Sequence, residues 1–192
     1  MMELDRGIWY TPDGQFARQT GTCGVSRMTP TKIRIPDDTE LRARLEQEYR
    51  NASQAALCRY ALLLAAHTLK LIDDAGLILD AADQETVREG LRINELRQEG
   101  KARIHDVRQA GFGIHRMAKA SGNAVVCAAL RAVGHAVSAA HMSEHAMVAS
   151  DYAVKVICLL HSDCMEAVRE ERLWQIHHLQ EIKRTIQQAS AQ

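Results

Sequence analysis

The sequence predicts an all-α fold: a single domain of about six helices, bundle-like, around an Ala-rich central helix. Three observations predict it. Aromatic residues are only 4% of the 192 residues while Ala and Leu are abundant, a composition that suits closely packed helices better than a sheet built on β-branched and aromatic side chains. Apolar positions after Pro36 recur with a period near 3.6. The alternation of helix and strand that marks a parallel-sheet fold is missing. With 46% apolar and 25% charged residues, the chain has an ordinary globular mix and is long enough to bury a core.

Residues 1–32 carry Gly7, Pro12, Gly14, Gly21, Gly24 and Pro30 with little periodicity. They read as a flexible N-terminal extension ahead of a helical domain spanning 33–192. Met28 is a second candidate start of translation, which would leave 1–27 outside the native protein. Ile33-Arg34-Ile35 forms one edge strand or an extended lead-in, and Pro36 ends it and favours a helix start. Asp37 is the expected cap, with Glu40 three residues on. Leu41, Leu45, Ala52, Ala56, Leu63, Ala66 and Leu69 follow at helical spacing without Gly or Pro. This predicts one long helix or two abutting ones, closing near Asp73-Asp74-Ala75-Gly76. A loop over 80–83 precedes a peripheral helix over 84–99, stopped by Gly100.

The next helix spans 102–120. Gly111 and Gly113 weaken its middle by up to ~1 kcal/mol each and mark a kink or a close helix contact. Ser121-Gly122-Asn123 is a break. Residues 124–140 form the central helix, whose Ala128, Ala132, Gly134, Ala136 and Ala139 admit a close neighbour. A joint falls at Met142-Ser143-Glu144, with Ser143 as cap. A helix through Ala146, Tyr152 and Leu160 follows, and the last helix spans 164–188 with a bend near His178.

Composition narrows the function. Lys plus Arg equals Asp plus Glu at 24 each, and no basic stripe appears, so no nucleic-acid partner is expected. Apolar runs such as 61–66 are far short of the ~20 residues of a membrane span, and no membrane partner is expected. The first seven residues are polar and lack a signal-peptide core. Five cysteines, an odd number without a C-x-x-C pair, point to a reducing, cytoplasmic setting.

The histidines are the candidate chemistry. His141 and His145 share a helix face if the helix continues there, a spacing that can ligate zinc. Glu144 adjoins the second His rather than the first, so the zincin motif fails. His67 or Asp151 is the candidate third ligand. His135 lies about a quarter turn from the 141/145 face and needs a kink to join it. The metal candidates are therefore His141, His145 and His67. The simpler reading has these imidazoles, and His67 in its apolar stretch, hydrogen-bonded in or beside the core. No phosphate loop or dinucleotide motif occurs, and no nucleophile elbow. Trp174, after the charged Arg169-Glu170-Glu171-Arg172, is expected to anchor the last helix with its indole N–H bonded to a neighbour.

Lys32-Ile33-Arg34-Ile35-Pro36, Glu40-Leu41, Cys58-Arg59-Tyr60-Ala61-Leu62 and Ala65-Ala66-His67 resemble the start of a family of bacterial immunity proteins. Gly134-His135-Ala136-Val137, Ala140-His141, His145-Ala146, Tyr152-Ala153-Val154-Lys155 and Glu171-Arg172-Leu173-Trp174-Gln175 resemble its second half. The ordered set His141, His145, Tyr152, Trp174 and Gln175 is the most specific part, and the resemblance spans about residues 30–180. It implies an all-helical, cytoplasmic bacterial protein that binds and neutralises a cognate toxin, and it brings no catalytic residues.

Two functions follow. The first is an immunity protein without catalysis or cofactor, partnered by a toxin or by a second copy of itself. Its candidate binding residues are His67, His135, His141, Glu144, His145, Tyr152, Trp174 and Gln175. The alternative is a helical protein, an enzyme included, that binds a transition metal or small ligand through its histidines.

Overall fold

The computed structural model describes residues 33–161 and 164–190, and the expectations for 1–32 lie outside the described residues. Seven helices and no strand occur among them. They are α1 (Thr39–Arg50), α2 (Gln54–Asp74), α3 (Ala81–Gln98), α4 (Ile104–Ala120), α5 (Ala124–Ser138), α6 (Glu144–Leu160) and α7 (Met165–Ser190).

The seventh helix arises because the region after Pro36 divides in two. Asn51 ends α1, and the Ser53 side chain accepts from the Ala56 N–H at 3.2 Å to start α2. A side-chain oxygen in that position satisfies a donor the helix cannot pair internally, so the chain breaks without Gly or Pro. The cap of α1 is Asp38, not Asp37: its carboxylate accepts from Glu40 and Leu41 N–H. Asp37 is drawn away by Arg172 instead. Ile33-Arg34-Ile35 is irregular lead-in rather than an edge strand, and Ile35 packs against Val154, Ile157 and Val168.

Residues 81–83, expected as loop, are the first turn of α3, because Asp80 caps it through the Asp83 N–H at 2.8 Å. Gly76 and Gly100 follow the ends of α2 and α3 with φ of 74° and 76°, the left-handed conformation in which glycine stops a helix. Ser143 precedes α6 in helical conformation and makes no side-chain cap. Helix α7 continues without interruption through His178.

Helix α5 is central, packed against α4 and α6 on either side and against α2 and α3. One core cluster draws side chains from all seven helices, among them Leu45, Leu64, Val87, Ile114, Val133, Ala149 and Leu179. Helix α2 is long and apolar enough to cross a membrane by length and composition, and half of that window is buried against other helices, as a core helix would be.

Gly111 and Gly134 explain how closely α4 approaches α5. A Cβ at Gly111 would collide with the Ser138 hydroxyl and meet the Gly134 carbonyl at 3.3 Å, and one at Gly134 would meet the His115 ring at 2.7–3.1 Å. The close-contact reading of Gly111 holds. Gly113 has no such neighbour, only Arg116 Nη2 at 3.9 Å.

Candidate functional site

The candidate residues fall into two clusters. The first is a buried ionic network under α1, α6 and α7. Arg172, with a side chain 0% exposed, donates to both oxygens of Asp37 (3.0 and 2.6 Å) and to Asp151 Oδ1 (2.8 Å). Arg42 grips the same Asp151 with two bonds of 3.1 and 3.0 Å. Burial pulls the Arg172 pKa down, but its bonds to Asp37 and Asp151 outweigh that and hold it above the usual value. Such a charge is stable only because each guanidinium finds carboxylates in geometry that replaces water.

Gln175 extends the network. Its amide donates to Glu171 Oε1 at 2.6 Å and to the Ser150 carbonyl at 3.2 Å, and its carbonyl accepts from Arg172 at 2.8 Å. Glu171 accepts from His67 Nε2 at 2.8 Å, and the His67 ring stacks on Trp174 at 3.8 Å. Trp174 therefore anchors α7 by stacking, on His67 and on His178 (4.1 Å), rather than through the expected N–H bond. Asp151, a candidate metal ligand in the sequence, is instead the shared acceptor of Arg42 and Arg172.

The second cluster lines a cleft of about 560 Å³ between α4, α5 and the start of α6. The chain reverses at 139–143, so α6 folds back and His135 Nδ1 comes within 2.9 Å of His145 Nδ1. The joint supplies the kink that His135 needs to reach His145. The His141 and His145 rings are 5.3 Å apart, His115 and His135 4.7 Å, and Tyr152 stacks on His135 at 5.5 Å. His67 does not line this cleft and Glu144 is exposed outside it. The metal set His141, His145 and His67 is therefore not brought together, and the described residues contain no group of three or more His, Cys, Asp or Glu arranged for a metal ion.

Sequence reasoning missed Arg108, Phe112 and His115 on α4, and Arg131 on α5, all of which line the cleft. For the three on α4, spacing of four, three and seven residues on one helix face was the available signal. The exposed Ile104, Phe112 and Met142 form its apolar rim, and Arg108 lies 6.0 Å from the Phe112 ring centre.

Burial, reinforced by Arg131, pushes the His115 pKa from 6.5 down to about 4, and burial with Arg108 lowers that of His141. In the unfolded chain the same imidazoles take up protons near 6.5. The unfolded state binds more protons below that point, so stability rises with pH across the window. The contribution is fully present above about pH 6.5 and is lost as the pH falls towards 4. Urea unfolding between pH 7 and 5 should show a falling midpoint, and His115→Phe should flatten the decline. An unchanged slope in that variant would remove His115 as its source.

The class of protein is thus an all-helical one, stiffened by a buried ion network on one side and opened by a histidine-lined cleft on the other. The chain belongs to the family described as "Imm-5 like putative immunity protein", whose model matches residues 47–182. No curated protein and no solved structure matches it.

Proposed function

We propose that this protein is a bacterial immunity factor that acts in the cytoplasm, binding a cognate toxin and blocking it without catalysis of its own. Family membership over residues 47–182 carries this reading. The framework suits such a role: a helical body with buried ion pairs holds a surface in one shape, and preorganised surfaces bind with less entropic loss.

The test is growth rescue. The genes that flank this one in its genome are expressed singly, with and without the chain. Restored growth, with a complex that co-elutes on gel filtration, is the expected result. Equal killing with and without the chain, and separate elution, would overturn the reading.

The gathering of four imidazoles around one cleft favours a second reading, a small-ligand-binding helical protein. A metal is the less suitable occupant, because Arg108 and Arg131 line the cleft and no carboxylate does. Two fixed positive charges oppose a divalent cation.

A further inference from the structure

The cleft between α4, α5 and α6 combines features that point to a ligand of one charge. Arg131, half-buried, and Arg108, on the rim, make no ion pair or hydrogen bond among the described residues. The lining contains no Asp or Glu. Elsewhere in the fold the inward arginines are paired: Arg42 and Arg172 share Asp151, and Arg172 also holds Asp37. The cleft thus concentrates positive charge that the rest of the molecule takes care to neutralise.

Two buried nitrogens in the same place also lack partners. His115 Nδ1 and His141 Nδ1 are shielded and meet no hydrogen-bond partner among the described residues. Such an atom costs about 1–3 kcal/mol when left unpaired, and both rings belong to residues that line the cleft. His135 and His145 are bonded through their Nδ1 atoms, which requires one to donate and the other to accept.

We infer that this cleft is a receptor for a small oxyanion, a phosphate or carboxylate group of a small molecule, clamped between Arg108 and Arg131 and hydrogen-bonded by His115 and His141. A guanidinium fork matches phosphate and carboxylate geometry through paired N–H bonds. A neutral imidazole N–H donates to an anion without needing a proton from solvent. The volume of about 560 Å³ falls within the ~300–1,000 Å³ typical of small-molecule pockets. Phe112, Ile104 and Met142 on the rim give the remainder of such a molecule an apolar wall. This inference is independent of the toxin reading, since rescue of growth can succeed or fail whether or not the cleft holds an anion.

The test is calorimetric titration of the full chain at pH 7 with inorganic phosphate, with succinate and, separately, with zinc chloride. Binding of phosphate or succinate with Kd of about 1 mM or tighter is expected, and which one binds identifies the source of the oxyanion. Arg131→Gln and Arg108→Gln should each weaken it by about tenfold or more, with circular dichroism and thermal midpoint confirming that both variants fold. Arg131→Lys, which keeps the charge but not the fork, should fall between wild type and Arg131→Gln. Arg116→Gln, on α4 but outside the cleft, should leave binding unchanged. In imidazole-detected NMR the ring nitrogens of His115 and His141 should shift on addition of the anion. The inference is overturned by the absence of heat for both oxyanions up to about 10 mM. Binding that persists in the Arg108→Gln/Arg131→Gln double variant, or stoichiometric zinc binding that excludes phosphate, would overturn it equally.

Discussion

Asp151→Ala should lower the free energy of unfolding by about 3–5 kcal/mol. Asp151 is 3% exposed and accepts two bonds from Arg42 and one from Arg172. Its removal leaves Arg172 with the Asp37 carboxylate at 2.6 Å, and Arg42 with the more distant carboxylates of Asp37 and Glu46, each at 3.8 Å. The penalty is chiefly the desolvation of buried charge that has lost its best-placed partner, not the loss of Coulomb attraction. Urea denaturation of wild type and variant measures it. The pair Lys70–Asp74 supplies the contrast: its side chains are 72% and 58% exposed, and Lys70→Ala should leave the unfolding midpoint nearly unchanged. The same denaturation in about 0.5 M salt should change the Asp151 effect little, because buried pairs are weakly screened. A loss no larger than that of Lys70→Ala would show that water reaches the network.

Gly111→Val should cost about 2 kcal/mol, whereas Gly113→Ala on the same helix should stabilise by up to ~1 kcal/mol. The two glycines are equivalent in helix propensity, and replacing either relieves the entropic penalty of glycine in a helix. They differ in what stands beyond the missing Cβ. At Gly111 it is the Ser138 hydroxyl, itself donating to the Gly134 carbonyl at 2.9 Å, and that carbonyl lies on a backbone that cannot turn aside. At Gly113 the nearest atom is the end of a flexible arginine. Overpacking exceeds the propensity gain at the first position and is absent at the second. Thermal midpoints of the two variants should therefore move in opposite directions. Parallel shifts would mean that α4 can slide away from α5 without loss.

The histidine cleft was half legible. His135, His141, His145 and Tyr152 were candidates, and the structure places all four in or against it. Arg108, Phe112, His115 and Arg131 were overlooked, although each helix presents its share on one face. Two faces become one cleft only when the helices cross, and nothing in the α4 segment states that it faces α5. His67, Trp174 and Gln175 were grouped with the histidines and belong elsewhere, stacked and bonded around Glu171.

By itself the sequence determined the helices, their approximate ends and the central place of the Ala-rich segment. Periodicity, caps and glycine stops act within a few residues, so they are written locally. Tertiary structure alone decided that Asp151 serves Arg42 across 109 positions and that Asp37 serves Arg172 across 135. It also turned α6 back on α5 at 139–143, which set His135 against His145. Those pairings depend on the angles at which helices pack and on the backbone torsions of one short joint. Many chains with the same apolar period could settle those quantities differently.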